Sequence, residues 1–232
     1  MSYTNLELSK KHEFYNLLCD IITPERRNLI ESVVVQRTTR IVPVIENIHK
    51  SQNASAILRT CDCLGIQNIK IIENNNKFTV TDDISLGSNK WLNIQKYKDG
   101  KNNTEKCFSD LKQQGYKIVA TTPHDNNISP DGIDINEKIA VVFGSEVDGI
   151  SNDAIKNADM FMTIPMYGFT ESFNISVSAA IILHHLTNKL RKSGINWQLN
   201  ETEKLNTLIY WALQSIKNSD KIEKELLRQI NP

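Results

Sequence analysis

The chain is short of cysteine, of net charge and of long apolar runs, and each shortage removes a class of protein. Four cysteines in 232 residues are too few for the disulfide framework of a small secreted scaffold. No apolar run approaches the roughly 20 residues that cross a bilayer as a helix. The polar start from Met1 to Lys11 lacks an apolar signal segment, so a soluble, cytoplasmic protein is expected. Lysine plus arginine number 27, as do aspartate plus glutamate, which disfavours coating of nucleic acid by bulk charge. No G-x-G-x-x-G follows an apolar run, which leaves a dinucleotide site without support. A G-x-x-x-x-G-K-[ST] phosphate loop and a G-x-S-x-G nucleophile elbow are missing as well. Cys61 and Cys63 are two apart on an expected helix and face different ways, and there is no H-E-x-x-H, so no metal site is expected. His184-His185 in an apolar helix reads as a satisfied or exposed pair.

With 40% apolar and 23% charged residues, the chain has the material for a core and the size of one large domain with short appendages. Charge is uneven along it. Residues 1–50 carry a net +1, residues 187–232 a net +3, and the stretch between them a net −4. Ordinary surface charge explains this; an anionic partner touching the ends is the sharper alternative. The middle alternates strand and helix signals. Strands are expected at 41–45, 69–72, 117–121, 139–143 and 160–164. Helices are expected at 51–64 (Ser51 or Asn53 as N-cap, Gly65 just past the end), 104–114, 151–158 and 174–192. Strands separated by helices imply an α/β fold with a parallel sheet. Both flanks read as helical, with Thr23-Pro24 opening a helix that reaches about Gln36. The expected divisions are a helical extension over 1–40, a central domain over 41–194, and a second helical extension over 195–232.

Three segments carry chemistry. The first, His49 to Thr60 (HKSQNASAILRT), lies at the carboxyl end of the first strand and the mouth of a helix, where open α/β sheets bind ligands and helix amides favour anions. Asn53 there is either a plain N-cap or a site residue; Arg59 is either a solvated charge or a half-buried cation seeking an anion. The second, Ile139 to Ile150 (IAVVFGSEVDGI), runs a buried strand into a loop with Glu146 and Asp148 between two glycines. Gly144 would let a ligand approach the backbone; a tight strand-to-helix turn is the alternative. The third runs from Ile164 to Leu183 (IPMYGFTESFNISVSAAIIL). Its strand stops at Pro165, and its helix begins apolar all round, which requires burial in the monomer or at a subunit interface.

In this order the three segments resemble the three motifs of the SpoU/TrmH family of RNA ribose 2′-O-methyltransferases, within the SPOUT superfamily, over about Arg37 to Gly194. Ser85 to Trp91 (SLGSNKW) and the helical ends resemble the family's tRNA-specific branch, and residues 1–40 are too few for the added domain that ribosomal-RNA members often carry. The resemblance implies a homodimer with its active sites at the subunit boundary and S-adenosylmethionine held in a C-terminal trefoil knot. It implies tRNA as partner, and as reaction the methylation of the ribose 2′-hydroxyl of the D-loop guanosine, guanosine-18. By matching positions, the catalytic group is Arg59, Asn53, Glu146, Ser172 and Asn174. The cofactor-contacting group is Thr121, Gly144, Ile164, Met166 and Phe173, where Phe173 replaces a more usual leucine. Asn188 stands where relatives have an arginine, with Lys189 and Arg191 close by. From the basic ends, the RNA-binding set is Lys10, Lys11, Arg26, Arg27, Arg37 and Arg40, then Lys189, Arg191 and Lys192, together with Lys90.

A ribose hydroxyl is a poor nucleophile until its proton begins to leave. An arginine, with a pKa above about 12, either acts as base with help from a phosphate and the sulfonium charge, or orients the hydroxyl and stabilises developing oxyanion charge. Alternatives are action on ribosomal RNA or another tRNA position, and a non-catalytic RNA-binding protein on the same scaffold.

Overall fold

The computed structural model describes residues 3–100, 102–123 and 128–230, with the side chain of Asp82 set aside. Met1, Ser2, Asn231 and Pro232, at the outer ends of the two expected extensions, lie outside the described residues. Along the chain come α1 (Leu8–Cys19), α2 (Pro24–Val34), β1 (Ile41–Glu46), α3 (Ser51–Cys63), β2 (Asn68–Ile72), α4 (Asp82–Ser85), β3 (Asn93–Tyr97) and α5 (Asn103–Gln113). They are followed by β4 (Tyr116–Thr121), β5 (Lys138–Phe143), α6 (Asn152–Asn157), β6 (Met160–Met162), α7 (Ile175–Lys192), α8 (Glu201–Gln214) and α9 (Ser219–Ile230).

Two compact units divide the chain: Thr38–Trp197, and the two ends, Met1–Arg37 with Gln198–Pro232. The first is built on a six-stranded sheet in the order β3-β2-β1-β5-β4-β6, with every pairing parallel. Because side chains alternate along a strand, each buried strand feeds two layers. Ile41, Ile45, Val119, Val141 and Phe143 pack with Ile57, Leu58 and Cys61 of α3 and with Ile182, Leu183 and Leu186 of α7. Val42, Val44, Ile118, Ala120 and Val142 pack on the other side with Cys107, Phe108 and Leu111 of α5 and Ala154 of α6. Strands covered on both faces need the near-continuous apolar runs seen in β1 and β5. Pro43 sits in a central strand, but the β1–β2 register begins only at Val44 opposite Lys70, so the missing N–H removes no bond to β2 there.

Three sequence expectations change. β3 is missing from the expected strands, yet Asn93 to Tyr97 pair with β2; it is an edge strand, mostly exposed, so no apolar run marks it. β6 ends at Met162 rather than Ile164, although the Thr163 amide still donates to the Ile128 carbonyl. Neither Ser51 nor Asn53 caps α3: the N-cap is Lys50, with no capping side-chain bond. Elsewhere local chemistry holds. Thr23 accepts from the Arg26 amide, Ser151 from the Ala154 amide and Asn174 from the Ser176 amide, while Gly65 and Gly115 follow α3 and α5 at positive φ.

In the second unit α8 opens with a reciprocal capping box between Asn200 and Glu203. It packs on α1, α2 and α9, and Leu205, Leu208, Ile209 and Ala212 are buried along it. Among the described residues, no helix is long and apolar enough to cross a membrane.

Candidate active site

Four strands of the sheet unit end at one place. The chain leaving β1 starts α3. The chain leaving β5 forms the loop Gly144–Ile150, β4 ends in Thr121 to Pro123, and β6 leads through residues 163–174 into α7. Together they wall a cavity of about 470 Å³, within the usual range for a small-molecule site. Its polar wall carries Lys50, Asn53, Thr121, Glu146, Ser172 and Asn174; Ile150, Met162, Ile164, Phe173 and Ile182 form an apolar wall, with Met166 beside them.

Glu146 joins the first two segments. One carboxylate oxygen accepts from the His49 amide at 2.9 Å; the other accepts from the Lys50 amide at 3.2 Å and from Asn53 Nδ2 at 2.6 Å. Glu146 thus supplies the start of α3 with an anion that the helix's own side chains do not provide. Burial pushes its carboxyl up. The bonds from Asn53 and from the amides of His49, Glu146 itself and Lys50 outweigh that and hold it below the usual carboxylate range. Asn53 passes the connection on: its Oδ1 accepts from Asn174 Nδ2 at 3.2 Å, and Asn174 Oδ1 accepts from the Ser176 amide and hydroxyl at 2.9 and 2.6 Å. One residue from each of the three segments therefore lies in a single chain of hydrogen bonds.

The loop that carries Glu146 is braced on itself. Ser145 and Gly149 exchange backbone bonds at 2.8 and 3.1 Å, and Ser145 Oγ accepts from the Val147 and Asp148 amides. A Cβ at Gly144 would lie 2.2 Å from the Gly149 carbonyl. The close approach that demands glycine here is the loop's own return; the sequence reading assigned it to a ligand.

Arg59 stands elsewhere. It is exposed, and it lines a second hollow of about 630 Å³ with Ala56, Thr60, Ile84, Ala180, Ile181 and His184. Six residues along α3 from Asn53, at 100° each, turn it onto a different face. Within one chain the structure does not bring Arg59 to Asn53, Glu146, Ser172 and Asn174.

The basic set divides. Lys11 and Arg37 are 3% and 4% exposed, with the Arg37 guanidinium 5.0 Å over the Trp211 ring, so both are corrected from RNA contacts to core groups. Lys189 donates to the Asp131 and Ile133 carbonyls. Arg191 donates to the Leu64 carbonyl, lies 4.4 Å over Trp197, and has its pKa lowered by burial. Arg40 donates to the Asn136 carbonyl and Arg27 pairs with Glu31 at 2.9 Å. Lys90 and Lys192 are exposed, Lys10 and Arg26 partly so. Asn188 is exposed beside His184. Lys50, on the cavity wall, lies within the first segment, and the sequence reading gave it no role. Among the described residues, no cluster of histidine, cysteine, aspartate and glutamate side chains could hold a metal ion.

A cavity at the carboxyl edge of a parallel sheet, half apolar and half lined by interlocked amide and carboxylate groups, defines an α/β protein that holds a small molecule beside polar side chains able to align a second reactant. The SpoU rRNA Methylase family profile matches residues 40–184, and the chain belongs to that family. Among curated relatives, a tRNA (guanosine(18)-2′-O)-methyltransferase of Borreliella burgdorferi is 42% identical over 89% of this chain and 93% of its own. The protein of the same name from Thermus thermophilus is 34% identical over 75% and 87%. The crystal structure of the Aquifex aeolicus TrmH/SpoU tRNA modifying enzyme superposes with a TM-score of 0.75 at 27% identity, over 84% of this chain and 98% of that one. The SpoU methyltransferase AviRb of Streptomyces viridochromogenes, solved with AdoMet, shares the fold at a TM-score of 0.59 and 18% identity, over 70% of this chain and 65% of that one.

Proposed function

We propose that this protein is a tRNA (guanosine-2′-O)-methyltransferase that uses S-adenosylmethionine to methylate the ribose of guanosine-18. The observation that carries the reading is the hydrogen-bonded series Glu146–Asn53–Asn174, which ties all three motifs to one cavity. The cavity's chemistry fits the cofactor: an apolar wall of Ile150, Ile164 and Phe173 suits an adenine face, and backbone groups of the loops after β4, β5 and β6 suit its polar edges. Thr121, Gly144, Ile164, Met166 and Phe173 are the residues assigned to hold it. When bound, it supplies a methyl group on a positively charged sulfur. Asn53 and Asn174, each fixed by its neighbours, set the cavity rim against which a ribose is aligned, and Ser172 offers that rim a hydroxyl.

Arg59 serves the cavity of a second copy. This is supported by its absence from its own chain's cavity and by the apolar residues exposed on that side of α7, Val177 at 44% and Ile181 at 38%. The active protein is thus a homodimer, acting on tRNA in the cytoplasm. A trefoil threading of the chain belongs to this reading through the family resemblance. Pulling the unfolded chain from its ends would then stop short of the ~3.3–3.6 Å per residue of an open chain. Phosphate contacts fall to Lys10, Arg26, Arg27, Arg40, Lys90 and Lys192, with Lys189 and Arg191 held back by their carbonyl bonds.

The test is methyl transfer from labelled S-adenosylmethionine to unmodified tRNA, with the product nucleotide mapped. A single 2′-O-methylguanosine at position 18 is expected. Transfer to ribosomal RNA alone would move the substrate, and cofactor binding with no transfer to any RNA would overturn the enzyme reading.

A further inference from the structure

We infer that Glu46 is a positioning residue for S-adenosylmethionine: its carboxylate ties down the far end of the Gly144–Ile150 loop, opposite the end held by Glu146. The inference rests on reading the cavity as the cofactor site. Glu46 is the last residue of β1 and is 0% exposed. Its Oε2 accepts from the Ser151 amide at 2.9 Å, and its Oε1 accepts from the Ser151 hydroxyl at 2.7 Å and the Thr104 hydroxyl at 2.6 Å. Each hydroxyl also accepts an N–H from its other side, Ser151 from the Ala154 amide and Thr104 from Asn74 Nδ2. Each therefore has one proton to give, and each gives it to Glu46. A buried carboxylate reached only by donors is satisfied as a pure acceptor.

The loop is thus clasped at two points by one short stretch of chain. Glu146 is held by residues 49, 50 and 53, and Ser151, directly after the loop, is held by residue 46. Between them the Ser145–Gly149 pair closes the turn. The loop's contribution to the cavity, Gly144 to Ile150, is set before any ligand arrives, which spares the ordering cost at binding. Loosening either clasp spreads the loop over more conformations and weakens the cofactor's hold.

Glu46→Gln separates this role from bulk. The amide keeps the shape, but its NH₂ must face either the Ser151 amide, donor against donor, or the two hydroxyls, whose protons then lose their acceptor. Titration calorimetry with S-adenosylmethionine and with S-adenosylhomocysteine is expected to show Kd raised about tenfold or more in Glu46→Gln. Ser151→Ala, which keeps the amide bond and loses the hydroxyl, is expected to show a smaller rise. KM for tRNA stays near wild type. In the ligand-free protein, amide exchange over residues 145–150 quickens in both variants. Ile66→Val, a core change at the amino end of the sheet, away from the cavity edge and the clasp, lowers the melting temperature and leaves Kd and loop exchange unaltered. Wild-type Kd and wild-type loop exchange in Glu46→Gln and Ser151→Ala would overturn the inference. Wild-type protein that binds neither compound would overturn the cofactor reading, and the inference with it.

Discussion

Glu146 accepts three charge-assisted bonds from other residues, and its behaviour with pH follows from their direction. Its pKa is lower folded than unfolded, so the bonds stabilise the fold fully above the ordinary carboxylate range and are lost as pH falls through the lowered folded value. Glu146→Gln should therefore lose about 1–3 kcal/mol near neutral pH. The gap to wild type should close on acidification; thermal melts of both proteins from pH 7 to pH 3 check this, and a constant gap would sink it. Gly144→Ala is a harsher change, since its methyl meets the Gly149 backbone at 2.2 Å. A loss of at least about 3 kcal/mol is expected in denaturant titration. Arg59→Ala should leave cofactor affinity and melting unchanged while turnover falls about 10²–10³-fold; near-normal turnover would remove Arg59 from the chemistry. Single residues were legible in the sequence where a motif named them. Asn53, Glu146 and Asn174 were found so, and they do meet. Glu46 escaped because a charge closing an apolar run, IVPVIE, looks like the edge of a strand rather than its anchor. Its partners Thr104 and Ser151 lie far along the chain. Arg59's separation from Asn53 was legible in helical arithmetic alone, and the motif's contiguity obscured it.

Helix α7 shows how one element serves stability and the site together. Asn174 caps it through Ser176 and also donates to Asn53. Asn174→Ser keeps a good N-cap and loses the amide donor; Asn174→Ala loses both. The first should melt within about 0.5 kcal/mol of wild type and the second about 1 kcal/mol below it, while turnover falls in both. Equal turnover in Asn174→Ser and wild type would leave Asn174 only its cap. Most helices and buried strands were readable because caps, stop glycines and apolar runs are local signals. β3 was not, since an edge strand facing water needs no apolar face, and α3 lacked a visible cap because its anion comes from residue 146.

At the scale of the whole molecule, the proposed dimer makes a prediction that no single chain can meet. Arg59→Ala and Asn53→Ala proteins should each be inactive. After subunit exchange, half the dimers combine an intact cavity from one copy with Arg59 from the other, restoring about a quarter of wild-type activity. Exchange that is demonstrated, yet restores nothing, would place all catalytic groups within one chain. From the residues alone, the apolar start of the last helix pointed to burial in the monomer or at a subunit interface; a subunit boundary as the place of the site came only with the family resemblance, and which residue each copy would give was not legible. Removing the charges of Arg27, Lys90 and Lys192 should flatten the salt dependence of tRNA binding by about 2 to 3 units of log–log slope.

The edges of the sheet bear on how the protein behaves when crowded. An open parallel sheet offers unpaired backbone at each side, a template on which a stray strand from another molecule could nucleate aggregation. Here one side is β3, five residues long and carrying Lys96 and Gln95; the other is β6, three residues long and bridged by Ile128. Both sides are too short, or too polar, to propagate a ladder. Joining of copies strand to strand is thereby disfavoured, so the proposed dimer would meet through its apolar helical face with less hazard of fibrils.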